Sequence, residues 1–267
     1  MFEKITSPQN PRIKSLIALQ RSRERRLVNR IIIEGYREIS LAIGAGFPVS
    51  ELYFCRPLDT GNHLIMLQQH VEQRNIFEIS PNVFEKLAYR EASDGCIAVA
   101  EPRFLKLQDV KLSQCPLVIV LEAIEKPGNL GAVLRTADAA QVDVVIVCDP
   151  LTDLYNPNII RSSIGCIFTN QVVACSSSEA IAWLRGKNIP TYAAALTAID
   201  YYHESNLSGP VALIMGTEAT GLSGIWLNEA DHQIKIPMLG SIDSLNVSIS
   251  AAILAFEARR QRGFGIK

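Results

Sequence analysis

The sequence lacks any apolar run that approaches the roughly 20 residues a membrane-spanning helix needs. Its first residues, MFEKITSPQNPRIK, lack the apolar core of a secretory signal. It also contains neither a GxGxxG fingerprint nor a P-loop, which argues against an unrelated nucleotide-binding α/β enzyme. We therefore expect a cytoplasmic protein with no membrane partner.

Paired cysteines are absent as well. The six cysteines are spread without CxxC pairs, and several stand in apolar runs where cysteine acts as a small hydrophobe. The four histidines are equally scattered, so that even His63 and His70, which could share a helix face, form no metal motif. We expect no structural metal and no disulfide bond.

The chain also lacks the strong positive charge of a nonspecific nucleic-acid binder, because its net charge is −1. That charge is uneven, since residues 1–30 carry eight basic and two acidic side chains while the remainder is acidic. The basic residues are Lys4, Arg12, Lys14, Arg21, Arg23, Arg25, Arg26 and Arg30. The spacing of Ile13, Leu16 and Ile17 predicts one basic amphipathic helix over 12–26. Its charge fits local contact with phosphates and a merely solvated terminal helix equally well, so both interpretations stay open at this point.

Apolar runs alternate with helical patterns along the whole chain, which indicates an α/β protein. Residues 101–115 contain a proline, mixed charge and no sustained period, so we place a linker there and predict domains at 1–105 and 106–267. In the second domain, crossover helices between apolar runs predict a mostly parallel sheet. Its strands are predicted at 117–121, 142–147, 172–174, 191–195, 211–215 and 233–236, and its helices at 130–141, 179–187, 225–230 and 245–262.

The stretch EKPGNLGAVLRTADAA, residues 125–140, stands between two of these strands. Asn129 occupies the position of a helix N-cap. Four apolar residues then follow at i, i+3, i+4 and i+7, the spacing of one buried helix face: Leu130, Val133, Leu134 and Ala137. Arg135 lies off this stripe, where a cation is free to meet solvent, phosphate or a ligand.

Three motifs in this half resemble those of the SpoU family of RNA ribose methyltransferases, within the SPOUT superfamily. The first is Asn129-x-Gly131-Ala132-x-x-Arg135-Thr136-Ala137, the second is Ile214-Met215-Gly216-Thr217-Glu218-Ala219-Thr220-Gly221-Leu222, and the third is Ile236-Pro237-Met238 with Ser244-Leu245-Asn246-Val247-Ser248. The opening SPQNP and the segment 156–165 are similar to family sequences too. Each motif alone is weakly specific, but three in the order and spacing of the family form a strong signal.

The resemblance implies a fold, a reaction and partners. It implies a parallel SPOUT-type sheet with a deep trefoil knot, preceded by a small α/β RNA-binding domain. It also implies transfer of a methyl group from S-adenosylmethionine to a ribose 2′-hydroxyl in RNA, by an enzyme that pairs as a homodimer through its catalytic domain. The first domain looks like that of members acting on ribosomal RNA, which makes this the first choice of substrate.

The resemblance further implies which residues form the site. Cofactor contacts fall on Leu196, Gly216, Ile236, Met238 and Leu245. Gly216 directly follows a predicted strand, where a residue without a side chain lets backbone approach a ligand. Catalytic roles fall on Arg135, Asn129, Glu218, Ser244 and Asn246. Because a guanidinium keeps its proton, we expect Arg135 to position the hydroxyl and stabilise its developing charge, with Asn129 and Glu218 orienting it.

The last helix is predicted to bury Leu245, Ile249, Ala252, Ile253 and Phe256, with Ser244 as the cap at its start. Asn246 would then lie near the edge of the buried face.

Alternative functions stay open. The substrate could be transfer RNA, or the methyl group could go to a base, which alkaline digestion of the product distinguishes because 2′-O-methylation blocks cleavage. A noncatalytic RNA-binding factor for ribosome assembly is a rival of another class. Against this rival, a factor that only binds RNA has no evident need for the predicted catalytic residues Asn129, Arg135, Glu218, Ser244 and Asn246.

Overall fold

The computed structural model describes residues 2–89 and 93–265. Its strands are β1 (Glu3–Ile5), β2 (Ile31–Glu34), β3 (Val49–Phe54), β4 (Ile76–Ile79), β5 (Cys96–Ala100), β6 (Leu117–Glu122), β7 (Val144–Cys148), β8 (Val172–Cys175), β9 (Thr191–Ala194), β10 (Asp200–Tyr201), β11 (Val211–Met215) and β12 (His232–Lys235). Its α-helices are α1 (Pro11–Ala18), α2 (Ser22–Val28), α3 (Tyr36–Gly44), α4 (His63–Leu67), α5 (Pro81–Leu87), α6 (Pro127–Ala139), α7 (Pro157–Ser162), α8 (Cys166–Thr169), α9 (Ser177–Gly186), α10 (Gly224–Glu229) and α11 (Val247–Gln261). None of the described helices is long and apolar enough to cross a membrane.

The chain forms two compact units. The first consists of the described part of Met1–Arg103 together with Tyr155–Thr169, and the second consists of Phe104–Leu154 and Asn170–Lys267. The border after residue 103 lies close to the predicted domain boundary. The first unit also includes α7 and α8, a segment of the second half that the sequence analysis did not assign to it.

A five-stranded mixed sheet in the order β1-β4-β3-β5-β2 forms the centre of the first unit. Strands β1, β3 and β4 are parallel, whereas β5 runs antiparallel to β2 and β3. Helices α1 and α5 bury Ile13, Leu16 and Phe84 in the core on this sheet. The prediction of a small α/β domain is confirmed.

The prediction of one continuous basic helix over 12–26 is wrong. The chain turns at residues 19–21 and forms two short helices, α1 and α2, instead of one. Leu19 is buried at this turn, and the buried Arg25 donates through Nη1 to the Leu19 carbonyl oxygen at 2.7 Å. The turn is therefore stabilised by burial of the aliphatic side chain and by a charged hydrogen bond.

A seven-stranded parallel sheet in the order β10-β12-β9-β11-β6-β7-β8 forms the second unit. The predicted parallel sheet is confirmed, with β10 as an edge strand that the sequence analysis missed. Both faces are covered by helices, which explains why β6, β7 and β11 read as continuous apolar runs. The trefoil knot stays a prediction.

The last helix buries a different face from the one predicted. Its buried residues are Val247, Ala251, Leu254, Ala255 and Ala258, and they pack against α6 and the sheet. Ile249 is 50% exposed and Phe256 is 42% exposed, so the predicted stripe lies mostly on the other side. The buried side carries alanines, and their small side chains let α11 approach α6 closely.

Candidate active site

A cavity of about 450 Å³ opens at the carboxyl ends of β9, β11 and β12 in the second unit. Parallel sheets bind ligands at this edge, where the loops that follow the strands converge. These strand ends and the loops that follow them supply residues 194–197, 215–222, 234–236, 238, 243–245 and 247 to the wall of the cavity. Its size is within the ordinary range for a site that holds a small molecule or cofactor.

All five residues that the sequence analysis assigned to the cofactor line this cavity. They are Leu196, Gly216, Ile236, Met238 and Leu245. They come from three segments about 20 residues apart in sequence, and the parallel register of the strands brings them to one edge of the sheet. Glu218 and Ser244 line the same cavity.

Gly216 is required by the backbone that surrounds it. The loop after β11 closes on itself, since Thr217 and Gly221 exchange two backbone hydrogen bonds of 3.0 Å. A Cβ atom on Gly216 would lie 2.1 Å from the carbonyl oxygen of Gly221, which is far inside van der Waals contact. Gly221 itself has φ +70°, a conformation that glycine adopts at no steric cost. The two glycines therefore fix the shape of this cavity wall.

The Glu218 carboxylate joins three segments of the second unit. Its Oε1 atom accepts from Asn129 Nδ2 at 2.9 Å and also from Asn246 Nδ2. Asn246 Nδ2 also lies 3.1 Å from Asn129 Oδ1, and the ammonium group of Lys126 pairs with Oε2 of Glu218. Three of the five predicted catalytic residues, Asn129, Glu218 and Asn246, thus form one hydrogen-bonded cluster, which we call the Glu218 cluster together with Lys126.

The hydrogen bonds of this cluster favour the charged forms of its two ionisable members, Glu218 and Lys126. The hydrogen bond from Lys126, with a further one from Asn129, lowers the pKa of Glu218 below its ordinary value of 4.5. The same contact with Glu218 raises the pKa of Lys126. Glu218 is therefore an anion at neutral pH, and it loses these contacts only when the pH falls below that lowered pKa.

Two predicted helix caps are corrected by the cluster. Helix α6 begins at Pro127, so Asn129 lies in the first turn and uses its side chain for Glu218 instead of for capping. Helix α11 is capped by Asn246 and not by Ser244, because Asn246 Oδ1 accepts from the Ser248 amide at 2.9 Å. The Asn246 side chain thus caps the helix through its oxygen and binds Glu218 through its nitrogen.

Arg135 and Ser244 lie outside the cluster. Arg135 is exposed on α6, six residues beyond Asn129, and it makes no hydrogen bond or ion pair within 2–89 and 93–265. Ser244 is exposed at the cavity and its hydroxyl lies 3.4 Å from Asp243 Oδ1. Both side chains are available to a substrate. The four apolar residues of the predicted α6 stripe are fully buried, which confirms that Arg135 lies off the core face.

Glu122, the last residue of β6, belongs to none of the predicted site residues and is only 7% exposed. Its carboxylate accepts from the Ser223 amide at 2.8 Å and from the Ser223 hydroxyl at 2.5 Å. Ser223 follows the cavity residue Leu222 and precedes α10, so Glu122 fixes the far end of the loop that carries Glu218. The sequence signal that could have indicated Glu122 is its position as an acidic residue directly after the apolar run of β6.

The cavity fits S-adenosylmethionine, the cofactor that the resemblance implies. Apolar side chains such as Leu196, Ile236 and Met238 suit the flat faces of an adenine ring. The carboxylates of Glu218 and Asp243 at the same cavity suit the positive sulfonium and ammonium groups and the ribose hydroxyls.

Comparison with known families identifies both halves of the chain. Residues 116–256 match the model of the SpoU rRNA Methylase family, and residues 10–98 match the model of the MRM3-like substrate binding domain.

Similar proteins and structures extend over nearly the whole chain. A 23S rRNA (guanosine(2553)-2′-O)-methyltransferase of Bacillus subtilis is 29% identical over 97% of this chain and 100% of its own. A 23S rRNA (uridine(2479)-2′-O)-methyltransferase of Streptomyces viridochromogenes is 29% identical over 97% of this chain and 92% of its own. A crystal structure of an RNA 2′-O ribose methyltransferase matches with TM-score 0.86 and 40% identity, over 97% of this chain and 99% of that one. The SpoU methyltransferase AviRb from Streptomyces viridochromogenes, in complex with the cofactor AdoMet, matches with TM-score 0.87 and 27% identity, over 97% and 100%.

Replacing Gly216 by alanine is expected to weaken cofactor binding by about 5- to 150-fold, because overpacking against rigid backbone costs about 1–3 kcal/mol and 1.4 kcal/mol is a factor of ten. Calorimetric titration with S-adenosylmethionine measures this. Gly224→Ala is the matched control, since a Cβ atom there meets nothing within 4 Å. Equal affinity in Gly216→Ala and the native protein would contradict this account of the cavity wall.

Proposed function

The chain belongs to the SpoU rRNA methylase family, and on that premise we propose that it is an RNA 2′-O-methyltransferase that uses S-adenosylmethionine and acts on ribosomal RNA. The observation that carries the proposal is the Glu218 cluster at the wall of the cofactor cavity. It unites residues from all three family motifs at one edge of the sheet. A module that only binds RNA has no evident need for such a cluster beside a cofactor cavity.

When bound, S-adenosylmethionine supplies an activated methyl group and its own leaving group. The protein then has to orient the ribose 2′-hydroxyl and help it to lose its proton. We assign the orienting role to Arg135, whose guanidinium has no protein partner in the described residues and presents several donors. Because a guanidinium keeps its proton, Arg135 stabilises the developing alkoxide, and the proton leaves to another acceptor.

The Glu218 cluster supports this chemistry through position. It ties the start of α6, the helix that carries Arg135, to the loop that carries Glu218 and to the start of α11. Asn129 and Asn246 thereby hold α6 and α11 against the cavity. Ser244 stands at the cavity with an exposed hydroxyl and is assigned to substrate contact.

Ribosomal RNA is the substrate that the relatives favour, since those of Bacillus subtilis and Streptomyces viridochromogenes are named for 23S rRNA. Their names give a guanosine and a uridine at different positions as the targets, although both proteins are 29% identical to this chain. Target choice therefore depends on features other than the shared motifs.

Four basic side chains of the first unit form the proposed RNA contact. Of the eight predicted, Lys4, Arg12 and Arg30 are committed to ion pairs with Glu78 or Glu51, and Arg25 is buried. The remainder are exposed on α1 and around α2 with no ion pair among the described residues: Lys14, Arg21, Arg23 and Arg26. Uncommitted cations of this kind are suited to RNA phosphates.

The division into an RNA substrate-binding domain at 1–105 and a methyltransferase domain at 106–267 is part of the proposal. It is supported by the two family matches, which lie on either side of residue 105. The trefoil knot and a cytoplasmic location remain predictions.

The function is tested by incubating the protein with labelled S-adenosylmethionine and total RNA from a strain that lacks it, followed by alkaline mapping of the labelled linkage. We expect label at one 2′-oxygen of ribosomal RNA. Label on a base or in transfer RNA would move the protein to another reaction or substrate. RNA binding without any transfer would favour the assembly-factor alternative.

Arg135→Ala is expected to lower the rate of methyl transfer by about 100-fold or more, the usual cost of removing a donor to a developing oxyanion, while cofactor affinity changes little. Arg135→Lys should fail as well, because an ammonium cannot reproduce the planar fork of the guanidinium. The readouts are the single-turnover rate and the cofactor dissociation constant.

The control for this test is Arg185→Lys, since Arg185 is an exposed arginine of the same unit that pairs with Glu229 away from the cavity. It should keep the native rate. Weakened cofactor binding in Arg135→Ala with normal turnover at saturation would contradict the assigned role.

We also propose a homodimer that forms through α11. Ile249, Ile253 and Phe256 lie at i, i+4 and i+7 on one face, and Ile249 and Phe256 are about half exposed. This apolar face flanks Val247 and Ser250, which line the cofactor cavity. A second copy of this chain that covers the face would therefore stand beside the site, in agreement with the pairing that the resemblance implies.

Phe256→Asp is expected to convert the dimer to a monomer, because it places a charge in a desolvated apolar contact. Analytical ultracentrifugation over a range of protein concentrations measures the change. Ile225→Asp is the matched control, since Ile225 is also an exposed apolar residue of the second unit, on α10. A native protein that sediments as a monomer at all concentrations would refute the dimer.

A further inference from the structure

Three side chains with metal-ligating atoms converge in the first unit, whereas the residues assigned to methyl transfer belong to the second unit. They are Asp59, His63 and Cys96, and one ligand atom from each lies within 4.8 Å of the other two. The pair His63 Nδ1 and Asp59 Oδ1 is 3.2 Å apart. We propose that Asp59, His63 and Cys96 bind one zinc-class divalent cation.

The spacing suits a tetrahedral ion. With metal–ligand bonds of about 2.0–2.3 Å, two ligand atoms of a tetrahedral zinc site lie about 3.3–3.6 Å apart. The 3.2 Å between the imidazole nitrogen and the carboxylate oxygen is close to that value. A thiolate, an imidazole and a carboxylate are the three ligand types that zinc accepts.

His63 is held with one nitrogen turned inward. Its ring stacks on Tyr36 with centroids 4.4 Å apart and planes 16° apart. A Cβ atom at Gly61 would lie 2.3 Å from Nε2, the other ring nitrogen, so a side chain at position 61 would displace the ring from this position. The Nδ1 atom is enclosed, and although Asp59 Oδ1 lies 3.2 Å away, Nδ1 makes no hydrogen bond of acceptable geometry among the described residues. An imidazole nitrogen in this condition costs free energy unless something binds it.

Asp59 is oriented in the manner of a carboxylate ligand. Its Oδ1 atom accepts from the His63 amide at 2.7 Å, and its Oδ2 atom accepts from the Leu64 amide at 3.1 Å. Hydrogen bonds of this kind commonly fix metal-binding carboxylates. They explain why Asp59 is ordered at the start of α4, but helix capping does not require an imidazole nitrogen and a thiol to converge on the same carboxylate.

The charge around the cluster favours a cation. Asp59 forms no ion pair with a lysine or arginine within 2–89 and 93–265, and neither does Asp94. Asp94 accepts from the amide of Cys96 at 3.3 Å and from the amide of Tyr36 at 2.7 Å, so it holds backbone on both sides of the cluster. Two carboxylates beside the fully buried Cys96 leave a local negative charge that a divalent ion neutralises.

The three ligands leave one position of a tetrahedron for water or another donor. The ion would join the start of α4 to the first residue of β5, and so close a loop of more than 30 residues in the first unit. This differs from the expectation of no metal, because Cys96 is too far along the chain from Asp59 and His63 to form a recognisable spacing motif.

The test uses the full chain, freed of any affinity tag and treated with a chelator, and titrates Zn²⁺ by calorimetry and Co²⁺ by visible absorption. We expect one ion per chain, a tetrahedral cobalt spectrum, and a melting temperature that rises with added Zn²⁺. Cys96→Ser and His63→Asn each remove a proposed ligand, so each should weaken Zn²⁺ binding by more than the roughly 10–100-fold that loss of an outer-shell partner costs.

Two variants serve as matched controls for the same unit. Cys55→Ser changes another fully buried cysteine, and His70→Gln changes another histidine, so both should bind Zn²⁺ as the native protein does. If Cys96→Ser fails to fold, His63→Asn and Asp59→Asn carry the test, since both keep the size of the side chain. Absence of stoichiometric binding, or equal binding in His63→Asn, would overturn the proposal.

Discussion

The second unit depends on one carboxylate, that of Glu218. It is held by Lys126, Asn129 and Asn246, which come from the starts of two helices that lie more than 100 residues apart in sequence. Charge-assisted hydrogen bonds are stronger and more directional than neutral ones, so the cluster fixes how α6 and α11 meet the loop after β11. The positions of the cofactor cavity and of Arg135 both follow from this constraint.

A second carboxylate secures the other end of the same loop. Glu122 binds the amide and hydroxyl of Ser223, while Gly216 and Gly221 allow the loop to close on itself between the two anchors. The loop is thus fixed at both ends by charged hydrogen bonds and in its middle by backbone contacts. A rigid wall of this kind keeps a cofactor in position without cost at the moment of reaction, because the binding groups are already oriented.

Local patterns predicted what depends on neighbours in sequence. The α6 stripe was correct, and the six strands predicted for the second unit were correct to within two residues, since helix and strand periods report burial directly. The buried face of α11 was predicted wrongly because apolar residues occur on both of its sides, and the face with alanines packs inward. Contacts between distant residues, such as Glu122 with Ser223 or His63 with Cys96, leave no pattern in sequence. The Glu218 cluster was accessible only through resemblance, and its hydrogen bonds required the structure.

The central claim, that Glu218 and Asn246 act as one unit in methyl transfer, is tested most directly by a double-mutant cycle. Glu218→Gln removes the negative charge and replaces one acceptor oxygen by an amide donor, and Asn246→Ser keeps a helix-capping oxygen but removes the amide donor. The single-turnover rate at saturating cofactor is measured for each variant and for the pair. The account predicts that the double variant is about as slow as the slower single variant, because coupled residues are not additive. Losses that multiply would contradict it.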